Sequence, residues 1–182
     1  MDKSPTSNMK NKKQNNKKSL VQHKIVADDN YPFYKIYHDE SENGYIISHD
    51  CRSKIAVKEK KMQYNLDNPS NKETVVYKID DGIIKGPEWK CDFGIYTEEN
   101  VLFLIELKNP ERGYEHALEQ IINTIELLIK ANQISVKELN ARIVVKNYPE
   151  IPSSRERMLE VKLRKHYKCN LQYDNRTFTE TL

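Results

Sequence analysis

The densest apolar stretch of the chain runs from Val101 to Leu107 and is near-continuous over the length of one strand. That is the pattern of a strand buried on both faces. Because side chains alternate along a strand, Leu102, Leu104, Glu106 and Lys108 share one face, and Val101, Phe103, Ile105 and Leu107 share the other. Cys91 to Tyr96 reads as a preceding strand with Asp92, Gly94 and Tyr96 on a single face, and polar Thr97-Glu98-Glu99-Asn100 suits a hairpin connection between the two. A hairpin closing symmetrically near Glu99 brings Asp92 opposite Glu106. After Asn109-Pro110 the period changes to that of a helix over about Tyr114 to Ala131, with Leu118, Ile121, Ile122, Ile125, Leu128 and Ile129 as the buried stripe. His116, Gln120, Asn123 and Thr124 form a polar stripe beside it, which on an exposed helix face would simply be solvated.

The rest of the chain follows the same logic. Ala141 to Lys146 predicts a further buried strand, giving the order strand–strand–helix–strand, and Pro149 and Pro152 mark a loop. Ser153-Ser154-Arg155-Glu156 predicts a capping box opening a helix to about Lys168, with Leu159, Leu163 and Tyr167 packing inward. Asn170 to Tyr173 predicts a last strand. Upstream, Tyr31 to Tyr77 is β-rich: strands are expected near Tyr31–Tyr37, Tyr45–Ser48 and Thr74–Ile79, with turns at Glu40–Gly44 and Asp67–Asn71. Tyr31, Tyr34 and Tyr37 fit either sheet packing or an aromatic face for bases. Asp80-Asp81-Gly82 reads as a turn without a partner.

Composition narrows the class. The 182 residues predict one domain, 25–182, preceded by a lysine- and asparagine-rich tail, 1–24, that is expected to be disordered. The tail carries a balance of +6, residues 25–141 carry −7, and residues 142–168 carry +5. A basic tail of this kind serves either to hold a phosphate backbone or as a solubilising extension. On the last helix, Arg157, Arg164 and Lys168 form either a phosphate-contacting ridge or a solvated face. No apolar stretch reaches the length of a membrane span, and no secretion signal is visible, so a cytoplasmic protein is expected. Cys51, Cys91 and Cys169 are sparse and widely spaced, as for reduced thiols. Zinc-ligand spacing, a P-loop and a dinucleotide fingerprint are all missing.

Candidate chemistry lies where the pattern is contradicted. Asp92, Glu106 and Lys108 sit inside apolar runs, and burying such charges is expensive unless they pair or hold a metal. Paired carboxylates on rigid strands suit Mg²⁺, which takes one or two carboxylates and keeps water and phosphate as further ligands. The competing reading is a structural ion pair of Lys108 with Glu106 or Asp92. The tripeptide Glu-x-Lys alone decides nothing, because it also occurs at Glu59-Lys60-Lys61 and Glu160-Val161-Lys162. Only Glu106-Leu107-Lys108 ends an apolar strand, follows an aspartate-bearing strand and precedes a helix.

Asp92, thirteen residues, then Glu106-Leu107-Lys108 resembles the signature of the PD-(D/E)XK phosphodiesterase superfamily, over about Lys90 to Lys146. The resemblance implies an α/β restriction-endonuclease-like fold with a mixed central sheet flanked by helices. It further implies a Mg²⁺- or Mn²⁺-dependent nuclease in which Asp92, Glu106 and the Leu107 carbonyl bind the metal and Lys108 serves the attacking water. Gln120, then His116, are the residues of the following helix that such a site would use. Two features depart from the pattern: Cys91 stands where it has proline, and the sequence offers no helix before Asp92 carrying an accessory glutamate. Nucleic acid, in the first place DNA, is the expected partner, with a homodimer or partner protein completing the site. The alternative is a catalytically inactive relative serving as a protein-interaction or nucleic-acid-binding subunit.

Overall fold

The computed structural model describes residues 46–50, 52–84, 86–108, 113–130, 136–146 and 148–182, the first of these segments in its backbone only. The basic tail, the strand expected near Tyr31–Tyr37 with its aromatic face, the turn at Glu40–Gly44 and Cys51 lie outside the described residues. The described residues form a mixed α/β structure with two mixed sheets and two α-helices.

The larger sheet has six strands in the order β1 (Ile46–Asp50), β4 (Thr74–Lys78), β5 (Phe93–Thr97), β6 (Val101–Lys108), β7 (Glu138–Val145) and β8 (Asn170–Asn175). From β1 to β6 the pairing is antiparallel, and β7 and β8 then add in parallel. The parallel step requires a crossover, which α1 (Gly113–Lys130) provides. β6 is the hinge of this arrangement and is paired on both edges and covered on both faces, which accounts for its unbroken apolar sequence.

One face of the sheet packs on the helices. Leu102 and Leu104 of β6 meet Tyr114, Ala117, Leu118, Ile121, Ile122, Ile125 and Leu128 of α1. The expected stripe is correct except at its end: Ile129 is 48% exposed, because it falls beyond the arc of the helix that faces the sheet. Helix α2 (Ser154–Val161) begins with the expected capping box: the Glu156 amide donates to Ser153 Oγ at 3.1 Å, and the Ser153 amide donates to Glu156 Oε2 at 2.6 Å. The helix is shorter than expected, passing into a wider π-type turn over Lys162–His166. Leu163 from that turn is buried, with Leu159 and Tyr167 partly buried beside it.

The opposite face carries a feature the sequence reading lacked. A three-stranded sheet of β2 (Lys54–Glu59), β3 (Met62–Asp67) and β9 (Thr177–Thr181) lies on it. Ile55, Val57, Met62, Tyr64, Leu66 and Phe178 pack there on Val76, Ile95, Phe103, Ile105, Leu107 and Val144. The Glu59-Lys60-Lys61 run is the tight turn of the β2–β3 hairpin, with Lys60 at φ 52°. The two sheets are bolted by Arg142 of β7, which is 2% exposed. Its Nε and Nη2 donate to the Glu180 carboxylate of β9 at 2.5 and 2.8 Å, and the Tyr64 hydroxyl of β3 donates to the same group at 2.7 Å. Nη1 adds a bond of 2.6 Å to the Asn170 carbonyl, and the guanidinium carbon lies 5.5 Å from the ring centroid of Phe103 and 5.8 Å from that of Phe178.

The packing of α1 gives a direct check. Ile121→Ala should lower the urea-derived unfolding free energy by about 2–5 kcal/mol. Ile129→Ala should change it by no more than about 0.5 kcal/mol, and equal losses would show that the helix face is assigned wrongly.

Candidate functional site

The β5–β6 hairpin pairs Phe93 with Ile105, Gly94 with Leu104, Ile95 with Phe103, Tyr96 with Leu102 and Thr97 with Val101. Continued by one residue, this register sets Asp92 opposite Glu106, as the turn near Glu99 predicts. Strand β5 itself starts at Phe93, not Cys91, because Asp92 leaves the ladder. Its Oδ2 accepts a hydrogen bond of 2.7 Å from the Leu107 amide, so the carboxylate is fixed against the end of β6.

Glu106 is fully buried. Lys108 Nζ approaches its Oε1 to 2.5 Å, an ion-pair distance, but from a direction that makes no hydrogen bond, and neither Glu106 oxygen has a well-directed donor among the described residues. Lys108 is itself mostly buried, its side chain 15% exposed. Burial pushes the Glu106 carboxyl well above the ordinary carboxylate range, and the neighbouring Asp92 adds to this, while Lys108 and the Asp92 amide oppose it. Asp92 is pushed up from 3.8 to about 6, again chiefly by burial; the Leu107 amide and Lys108 pull it down, and Glu59 and Asp80 push it up.

Asp92, Leu107, Lys108, Gln120 and His116 line one cavity of about 550 Å³, with Glu106 buried behind them. The same cavity is walled by Glu59 and Lys60 from the β2–β3 turn, by Asp80 and Asp81, and by Gly86–Lys90. The turn at Asp80-Asp81-Gly82 therefore has a partner after all. Lys90, 2% exposed, places its ammonium 3.1 Å from Asp80 Oδ1 and 2.6 Å from the Gly86 carbonyl, with Asp81 at 4.0 Å. Gly82 makes this turn possible, since a Cβ there would lie 2.0 Å from the Lys78 carbonyl oxygen. No local pattern joins Asp80 to Lys90, because only the folded turn brings them together.

The polar stripe of α1 is not solvated as expected. Gln120 and Thr124 are buried. Asn123 Nδ2 donates to the Trp89 carbonyl at 3.1 Å, Gln120 Nε2 to the Lys90 carbonyl at 2.5 Å, and Thr124 Oγ1 accepts from the Cys91 amide at 2.9 Å. Three helix side chains thus clamp three consecutive residues and deliver Asp92, the next one, to the end of β6. Gln120 is a positioning residue in this geometry, and its Oε1 is buried without a hydrogen-bond donor among the described residues. His116 stacks edge-on to Trp89 at 4.3 Å between centroids.

Arg157, Arg164 and Lys168, three cations expected on one face of the last helix, are all exposed. Arg157 Nε donates to the Pro152 carbonyl at 3.0 Å, Arg164 Nη2 to the Leu171 carbonyl at 3.0 Å, and Lys168 lies past the helix at φ 51°. Among the described residues no three His, Cys, Asp or Glu side chains converge as a metal site, and no helix is long and apolar enough to cross a membrane. The donor set at hand is two carboxylates and a main-chain oxygen.

Comparisons with family models, with curated proteins and with solved structures find no match.

The raised Asp92 value has a sign that can be measured. The folded state holds this proton more tightly than the unfolded chain does. Stability from this group is therefore full below about pH 4 and lost as pH rises through about 6. In metal-free buffer, Asp92→Asn keeps an acceptor for the Leu107 amide and escapes that loss. Its melting temperature relative to wild type should rise between pH 4 and pH 8, by at most about 3 kcal/mol of stability. A difference that is flat with pH would mean Asp92 ionises normally.

Proposed function

We propose that the protein is a metal-dependent phosphodiesterase of nucleic acid, a nuclease, with Asp92, Glu106 and Lys108 at its centre. The observation that supports this most is the facing of a buried carboxyl, Glu106, and a half-buried one, Asp92, at the end of β6, where burial opposes the ionisation of both and where Asp92 and Lys108 line one cavity. Carboxyl groups held against solvation at this cost to stability are more economically explained by a ligand than by packing.

The residues fit a divalent cation. Glu106 offers two oxygens that accept no well-directed hydrogen bond among the described residues, Asp92 has one oxygen engaged by the Leu107 amide, and the Leu107 carbonyl completes the set that the PD-(D/E)XK resemblance implies. Mg²⁺ commonly binds through so few protein oxygens. When bound, the ion would acidify a water and offset negative charge on the phosphorus oxygens. The chain's own groups do the rest. Lys108 supplies a fixed ammonium that orients the water and meets the charge developing on the phosphate. Gln120, Asn123 and Thr124 keep Asp92 in register by holding 89–91 on α1. Glu59, which lines the same cavity from the β2–β3 turn, adds negative potential at Asp92.

One observation favours a second reading. The Lys108–Glu106 ion pair already offsets the buried charge of Glu106, as in an inactive relative that keeps the cluster for structure and acts as a binding subunit.

The readings part on cleavage. Plasmid, linear duplex, single-stranded DNA and RNA are incubated with Mg²⁺ or Mn²⁺ beside identically purified Asp92→Ala and Lys108→Ala. Wild type should cut, and each variant should lose at least about a hundredfold in rate, the scale of removing one charge-stabilising group. Cutting that survives in both variants would sink the site assignment. Metal binding is read apart from activity. Millimolar Mn²⁺ should raise the melting temperature of wild type, and Asp92→Ala should lose that gain. A wild type that neither cuts nor binds metal by calorimetry leaves the subunit reading.

A further inference from the structure

We propose that the site takes a single strand of nucleic acid gripped at two points, an unpaired base stacked on Trp89 at one rim and the sugar–phosphate backbone laid over a basic hollow beyond Lys60 at the other. The inference rests on the phosphodiesterase reading above and names its substrate class.

The first grip is Trp89, the only tryptophan of the chain. It lines the cavity that holds Asp92 and Lys108, yet it is 53% exposed. One exposed apolar side chain is ordinary on a protein surface; what sets Trp89 apart is its place at this cavity and the fixed backbone beneath it, held by the Asn123 bond to its own carbonyl and the Gln120 and Thr124 bonds to the next two residues. The indole also meets the His116 ring at 82°. A rigid, half-open indole at the mouth of a phosphodiester site is a platform for a flat ring. Bases within a duplex have both faces covered by their neighbours, so the ring that stacks there belongs to an unpaired nucleotide.

The second grip is a separate hollow of about 620 Å³ lined by Lys60, Lys61, Met62, Lys146, Arg176 and Thr177. Two turns and a strand end meet in it: the β2–β3 turn, the end of β7 and the β8–β9 turn, where the Arg176 carbonyl accepts from the Gln63 amide at 2.8 Å. Its four cations face no carboxylate in the lining, and among the described residues none of them is in an ion pair. Lys60 lines both this hollow and the catalytic cavity, so the two adjoin at the hairpin turn. Their polarities are opposite. The cavity wall carries Glu59, Asp80, Asp81, Glu88 and Asp92 against Lys60, Lys90 and Lys108, an acidic excess that by itself repels a polyanion. The hollow beside it supplies the attraction, and the acidic wall waits for a cation. A strand running from Trp89 across the site to Lys60, Lys61, Lys146 and Arg176 satisfies both.

The test is binding without cleavage, in chelator, with single-stranded DNA, single-stranded RNA and blunt duplex of about a dozen nucleotides. Fluorescence excited at the red edge, where the chain's eleven tyrosines do not absorb, reports Trp89 alone, and the anisotropy of a labelled strand reports affinity. Single strands should quench the indole saturably and bind at least about tenfold tighter than duplex. Trp89→Ala should weaken binding about tenfold with an unchanged salt slope, and Trp89→Phe should restore part of it. Lys61→Glu/Arg176→Glu should weaken it about as much and reduce the salt slope by about one for each phosphate no longer neutralised. All variants are first checked for wild-type circular dichroism and melting. Duplex binding as tight as single-strand binding, saturation without quenching, or wild-type affinity in the charge-reversed variant would each overturn the proposal. The two readings fail separately. A protein that cuts duplex but behaves in any of these ways loses the single-strand inference and keeps the phosphodiesterase. One that grips single strands as described but never cuts with metal loses the phosphodiesterase and keeps the strand-binding surface.

Discussion

The register of β5 against β6 is the constraint on which everything else depends. Side chains on a strand alternate with period two, so a slip of one residue would carry Glu106 and Lys108 to the face covered by the small sheet and bring Phe103, Ile105 and Leu107 under the helices. Two polar groups would then meet an apolar layer, and that layer would forfeit its own apolar partners. The three-residue connection at Glu98–Asn100 and the apolar demand on both faces of β6 together leave one register. In that register Asp92 ends up facing Glu106.

A strand buried on both faces needs both layers in place. The helical layer is assembled locally, since α1 directly follows β6 and returns the chain to β7. The other layer is assembled from distant parts, because β2 and β3 precede the hairpin and β9 follows the last helix. Arg142 and Glu180 join them, with Tyr64 adding a third element to one carboxylate. A buried guanidinium saturated with hydrogen bonds gives geometry that apolar packing alone does not, since its planar fork admits few arrangements. By holding the small sheet on the large one, this network also brings the Glu59–Lys60 turn to the cavity that contains Asp92.

The candidate site shows the reverse economy. Its carboxyl groups are held where burial opposes their ionisation, and the segment that carries Asp92 is pinned to α1 by amide and hydroxyl side chains in place of apolar ones. Buried polar clamps of this kind specify position more than they add stability. The polar stripe of α1 therefore has a structural explanation that a solvated-face reading misses. Gln120 belongs to the site through the backbone it holds.

By itself the sequence determined the central hairpin, its register, the crossover helix, the parallel strand after it and the capping box of α2. All of these rest on interactions between residues close in the chain or on a period of two or 3.6, and such patterns are written locally. It also singled out Asp92, Glu106 and Lys108, because charge within an apolar run is a contradiction visible without coordinates. Only the tertiary structure decided the rest. The short alternating stretches of β2, β3 and β9 have no meaning until they meet, since β3 and β9 pair across more than a hundred residues. Ile129 matched the helical period but fell outside the arc that the sheet covers, and period alone does not say how wide that arc is. Asp80 and Asp81 acquired Lys90, and Lys60 came to border both hollows, through turns closed by residues distant in sequence. A local pattern states which face a side chain takes; which other face it meets is settled only by the packing of the whole chain.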